Sequence, residues 1–152
     1  FFLGAADNPI DPPPGWQPQS LQAKVEAGAQ FVQTQFCMDA GVIRRYTARL
    51  AACGLAGKFA LLVGIAPLRS AKSARWIREK LFGAIIPDAI VERLDRASDA
   101  AAEGRNICLD LVAELAEMPH VAGVHIMAPG HDSAVPEVIR AARANISRLA
   151  TV

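Results

Sequence analysis

The sequence predicts an α/β chain of the (β/α)8 TIM-barrel type that supplies about four βα units, half of a barrel. Three observations carry this expectation. Short apolar runs alternate with longer segments of helical periodicity in the order strand, helix, strand, helix, strand, three helices, strand, helix. Such alternation specifies a parallel sheet with right-handed crossovers. Neither GxGxxG nor GxxxxGK[ST] follows any strand, so the phosphate loop that normally marks a doubly wound sheet is missing. The strands end instead in polar or proline-marked loops, Asp7-Asn8-Pro9, Gln35, Ala66-Pro67 and Ala128-Pro129, as in barrels that assemble their site at the carboxyl ends of the strands. A full barrel takes about 250 residues, so residues 1–152 are expected to form a single segment of one. Half a barrel has two raw sheet edges, and unpaired edges invite association. The segment is therefore expected to pair with the missing half or with another subunit, as a homo-oligomer, and to be aggregation-prone alone.

Phe1 to Ala6 is apolar and predicts a buried opening strand. The IDPPPGWQP stretch that follows is too proline-rich for a helix or a central strand and predicts a semi-rigid loop. Trp16 in that loop is either a hydrophobic anchor or a ligand platform. Ser20 is placed to cap a helix over Leu21 to Glu26, which Ala27-Gly28-Ala29 ends because glycine closes a last turn in the left-handed conformation. Phe31 to Phe36 is a strand with Phe31, Gln33 and Gln35 on one face and Val32, Thr34 and Phe36 on the other. An unpaired buried amide costs a few kcal/mol, so Gln35 at the strand's end is expected to face a pocket or a polar network.

After Asp39, Ile43, Tyr46, Leu50 and Cys53 recur at helical spacing, Arg44, Arg45 and Arg49 point outward, and Gly54 and Gly57 close the helix. Phe59 to Ile65 is almost continuously apolar, the pattern of a parallel strand covered on both faces. Helices are expected over Ser70 to Phe82, over Pro87 to Arg96 with Ile90, Val91 and Leu94 inward, and over Ala100 to Met118 with Ile107, Leu111 and Leu115 inward. Val121 to Met127 is the fourth strand, and the APGHDS loop leads to a last helix that buries Val135, Val138, Ile139, Ala142 and Ile146.

Composition narrows the function. Sixteen basic against fifteen acidic residues leave a net charge of +1, with no electrostatic footprint for nucleic acid or an anionic membrane. No run of about 20 apolar residues predicts a membrane span. Cys37, Cys53 and Cys108 are odd in number and lack CxxC spacing, which argues against a disulfide scaffold or thiolate cluster and fits a reducing cytosol. His125, His131 and Asp132 do not have a recognised metal spacing, so no metal is assigned.

GAADNP, KVEAGAQFVQTQF, GIAPL, GRNICLDLVAEL and VAGVHIM together resemble the carboxyl-terminal half of the methylenetetrahydrofolate reductase family. The resemblance implies a cytoplasmic flavoenzyme that passes a hydride from NAD(P)H through FAD to 5,10-methylenetetrahydrofolate, giving 5-methyltetrahydrofolate in one-carbon metabolism and methionine synthesis. It places Gln35 at the family's catalytic glutamine, which hydrogen-bonds both pterin and nicotinamide. It matches Met127, His131 and Ile77, beside Trp76, to substrate-binding positions. Gly4, Asn8, Gln17, Ser20, Ala23 and Lys24 fall on flavin-contacting positions, where only Lys24 retains the family's residue. The family's other catalytic carboxylates have no counterpart in this chain, so the segment alone is expected to be inactive. Two alternatives stand beside the reductase: a flavin-free folate methyltransferase barrel and a non-catalytic half-barrel subunit.

Overall fold

A computed structural model describes residues 1–149, with side chains to 145. The expected core side chain of Ile146 lies outside the described residues. Four strands, β1 (Gly4–Asp7), β2 (Phe31–Phe36), β3 (Ala60–Ile65) and β4 (Gly123–Ile126), form one parallel sheet in the order β1-β2-β3-β4. Spatial order follows chain order without reversal. A doubly wound sheet reverses at a switch point, whereas a barrel adds each strand beside the last. The fold is thus of the (β/α)8 type, represented by four βα units.

The strands are joined by α1 (Gln19–Glu26), α2 (Ala40–Ala52), then α3 (Ala71–Lys80), α4 (Asp88–Arg96) and α5 (Ala100–Ala116) between β3 and β4, and α6 (Ala134–Leu149) last. Their starts are fixed locally. Asp39 accepts from Val42 N at 3.0 Å, Asp99 accepts from Ala102 N at 2.9 Å, and Ser70 and Ser73 form a reciprocal capping box. Helices cover one face of the sheet, where Val32, Phe36, Leu61, Val63 and Ile65 are buried with Leu21, Ile43, Tyr46, Leu50, Ile107, Leu115 and Val138. The other face is half-open. Phe31, Gln33, Gln35, Leu62, His125 and Met127 are all only partly buried, and in a closed barrel this concave face is the interior.

Several expected features differ in the structure. Phe1, Phe2 and Leu3 are exposed and precede β1 instead of forming a buried strand. The reason is position: β1 is an edge strand, and Phe2 finds only the Phe31 ring, stacked at 5.1 Å. Ser20 does not cap α1. Pro18 takes that place with its carbonyl accepting from Gln22 N at 2.8 Å, so Ser20 sits exposed in the first turn. Helix α3 stops at Lys80, and Phe82 is 88% exposed. The segment beyond must extend, because Ile85 pairs with the end of β2, donating to Phe36 O and accepting from Met38 N, both at 2.8 Å. In α6 the buried stripe is Ala134, Val138 and Ala142, one residue every four, which turns Ile139 outward. Ile90 and Cys53 are half-buried.

The proline-rich loop is pinned to α2. Arg45 clasps Asp11 with two bonds of 2.7 and 2.9 Å, and Arg49 Nε donates to Trp16 O at 2.7 Å. Trp16 packs on the core 6.0 Å from the Tyr46 ring, the anchor reading of that residue. Tyr46 ties three elements together. Its buried hydroxyl donates to Asp7 at the end of β1, and Asp7 also accepts from Lys24 of α1 at 3.4 Å.

Burial pushes the Tyr46 hydroxyl up from its ordinary 10.0, with the nearby Asp7 charge adding to the effect. Burial likewise pushes the Cys37 and Cys108 thiols from 9.0 to about 12. In each case the folded chain keeps a proton that the unfolded chain loses first, so stability is full below the unfolded values and falls as pH rises through them. The melting temperature should be level between about pH 7 and 8.5 and fall steeply above about pH 9 to 10. Thermal melts across that range check this, and a curve still level at about pH 11 would contradict it.

Candidate functional site

The site is built where β2 and β3 fall out of register. Gln33 pairs with Leu62 but Phe36 pairs with Gly64, so Thr34 and Gln35 together lie opposite Val63. Such a bulge re-aims the side chains at the end of a strand. Thr34 Oγ1 accepts from Gly64 N at 2.8 Å and donates to Gln35 O at 2.8 Å, and Cys37 N resumes the ladder on Gly64 O at 2.9 Å. Gly64 is crowded from several sides. A methyl group there would collide with the Thr34 carbonyl oxygen and stand 2.9 Å from Gln35 O and 2.8 Å from Met127 Cε. The Gln35 main chain and the Met127 side chain are thus brought together beside one bare α-carbon.

The Gln35 carboxamide is held at both ends. Its Oε1 accepts from Phe36 N at 3.0 Å and its Nε2 donates to Phe82 O at 3.2 Å. One N–H and one lone pair of the amide remain for a ligand. The α3–α4 loop that supplies Phe82 turns at Gly83, with φ +80°, where an added Cβ would lie 2.8 Å from Asn8 Oδ1. Asn8 therefore stands at the same rim as Gln35.

Beside this lies a cleft of about 320 Å³ between the β3–α3 and β4–α6 loops, lined by Pro67, Ser73, Trp76, Ile77, Pro129 and His131. Arg69 and Lys72 add positive charge to its wall. The structure thus gathers Ile77 and His131 into one cleft at the carboxyl ends of β3 and β4, with Trp76 half-exposed at the wall. His131 Nε2 is buried without a partner among the described residues, as is His125 Nδ1 on β4. A buried polar atom left unpaired is costly unless something else satisfies it.

The positions matched to a flavin do not converge in the same way. Gly4 begins β1 at its amino end, with the Phe31 ring packed where a side chain would go. Gln17 is exposed and accepts from Cys53 Sγ at 3.2 Å, and Ser20 and Ala23 are exposed on α1. The Lys24 ammonium is already engaged, donating to Ala6 O at 2.7 Å and pairing with Asp7. A phosphate would have to displace both. Of the six positions only Asn8 adjoins Gln35, and the set does not fit a flavin diphosphate.

Sequence reasoning missed Asp7 as the partner of Lys24 and Tyr46. The available signal was an acid at the last residue of β1 and a tyrosine on the inward stripe of the second helix after it. It also missed the bulge, whose only trace was a β-branched hydroxyl beside Gln35.

These features define a class: a (β/α)8-type protein with a concave, amide-lined surface at the carboxyl ends of its strands. The chain belongs to the methylenetetrahydrofolate reductase family, whose sequence profile matches residues 8–143. Among solved structures, an uncharacterized protein from Clostridium thermocellum, described as binding two copies of 5-methyl-5,6,7,8-tetrahydrofolic acid, aligns with a TM-score of 0.59 at 14% identity. The alignment covers 82% of this chain and 46% of that one, so this chain spans about half of its length. A comparison with curated proteins finds no match.

Gly64→Ala tests the geometry of the site. The new methyl group meets backbone carbonyls that cannot swing away as a side chain does, so stability should fall by about 1–3 kcal/mol. Chemical denaturation measures this, and an unchanged midpoint would remove the close approach as a constraint.

Proposed function

We propose that this chain forms the folate-handling half of a (β/α)8 barrel that reduces 5,10-methylenetetrahydrofolate to 5-methyltetrahydrofolate. The observation that carries the reading is the meeting of Gln35, Gly64 and Met127 at the strand ends, next to the cleft of Ile77 and His131. Family membership supports an oxidoreductase, and the Clostridium thermocellum protein's folate supports the ligand class. Gln35 presents a free donor and acceptor without a charge, which suits a pterin edge in a site that must stay dry for hydride transfer. Met127 supplies apolar contact beside it. His131, with Arg69 and Lys72 nearby, suits the carboxylates of a folate's glutamate tail. The remaining strands of the barrel come from a polypeptide outside these residues or from another subunit, in a cytoplasmic homo-oligomer.

NAD(P)H is the proposed hydride source and FAD the proposed carrier of the complete barrel, held by contacts outside the set from Gly4 to Lys24. A flavin-free folate-binding barrel, of methyltransferase or non-catalytic kind, is the second reading. The engagement of Lys24 by Asp7 and Ala6 O favours it.

Gln35→Ala in the complete protein should weaken 5-methyltetrahydrofolate binding roughly tenfold to a hundredfold, the effect of losing about 1–3 kcal/mol of hydrogen bonding. Titration calorimetry measures it, and affinity within about twofold of wild type would make Gln35 a structural residue. The visible spectrum of the purified protein separates the two readings: flavin bands with NAD(P)H-dependent bleaching support the reductase. A colourless protein that still binds the folate supports the second.

A further inference from the structure

We infer that Thr34 is a positioning residue of this site: its buried hydroxyl, inserted between β2 and β3, holds the bulge that aims the Gln35 carboxamide. The binding consequence rests on the folate reading above, while the geometric one does not.

Thr34 is 3% exposed, one of the few buried polar residues. In a regular parallel ladder the Gly64 N–H donates to a carbonyl of β2, and here the extra residue in β2 shifts the register at that rung. The hydroxyl fills the gap in both directions, accepting from Gly64 N and donating to Gln35 O. The bond to Gly64 N is buried and that to Gln35 O part-buried, and serving both takes a side chain with a donor and an acceptor on the same atom. Serine and threonine meet that requirement; valine has the same shape and meets neither half of it.

The consequence passes directly to Gln35. With its carbonyl fixed by Thr34, the residue presents its side chain to Phe36 N and Phe82 O, which leaves one N–H and one lone pair of the amide free. Without the hydroxyl, Gly64 N and Gln35 O lose their partners, and the strand gains by sliding back toward regular pairing. That shift turns Gln35 away from both of its holds. Thr34 touches no ligand in this account and acts only through Gln35.

Thr34→Ser and Thr34→Val in the complete protein, alone and combined with Gln35→Ala, test this with two readouts. One is the set of side-chain amide NMR resonances of Gln35, the other the Kd for 5-methyltetrahydrofolate. Thr34→Ser should leave the resonances in place and the affinity within about twofold. Thr34→Val should shift the resonances and weaken binding about tenfold, with no further loss in the Gln35→Ala background. Unshifted resonances in folded Thr34→Val, or an equal loss when Gln35 is already alanine, would overturn the assignment. Should Thr34→Val fail to fold, Thr34→Ser decides: Gln35 resonances unchanged support the role, and displaced ones overturn it. A wild-type protein that binds no folate would remove the proposed function, and the resonance comparison would still decide the role of Thr34.

Discussion

The α-carbon of Gly64 is the point on which the rest of this structure depends. Backbone from β2 and the Met127 side chain just past β4 both pack where any larger residue at this position would need its Cβ. Close approach of this sort is available only to glycine. It lets β2 carry one extra residue past β3, and that residue turns the end of β2 into a corner instead of another rung of the ladder. The hydroxyl of Thr34 then satisfies the two backbone groups that the irregularity would otherwise orphan.

The half-open face and the stabilising framework lie on opposite sides of the sheet. On the helix-covered side, Tyr46, Asp7 and Lys24 join α2, β1 and α1 through one hydroxyl and one carboxylate, shielded by the Trp16 loop that Arg45 and Arg49 hold down. On the open side, glutamine and histidine side chains line a concave surface whose polar atoms are not all satisfied among the described residues. This division is what a barrel needs, with burial supplied from outside and chemistry kept at the strand ends. It also explains why Lys24, although it matches a flavin-contacting position, serves the framework here.

Much of the fold was legible because its determinants are local. The period of β2, the glycine after α1, the Asp39 cap and the helical stripe of Ile43, Tyr46 and Leu50 all act within a few residues. The three motifs KVEAGAQFVQTQF, GIAPL and VAGVHIM were legible as separate pieces of sequence. That Thr34 and Met127 both crowd Gly64 was not, since it depends on sheet register between residues far apart in the chain. Phe1 to Leu3 misled for a similar reason: apolar composition does not reveal whether a strand is central or at an edge. The end of α3 was set by Ile85 pairing with β2, a tertiary contact that overrides the helical pattern through Phe82.

The most direct measurement of the account is a crystal structure of the complete protein with 5-methyltetrahydrofolate. The pterin should hydrogen-bond the free edge of the Gln35 amide and pack against Met127, with the glutamate tail reaching toward His131 and the cleft beside Trp76. A folate bound elsewhere in the barrel, with Gln35 still satisfied only by Phe36 N and Phe82 O, would contradict it.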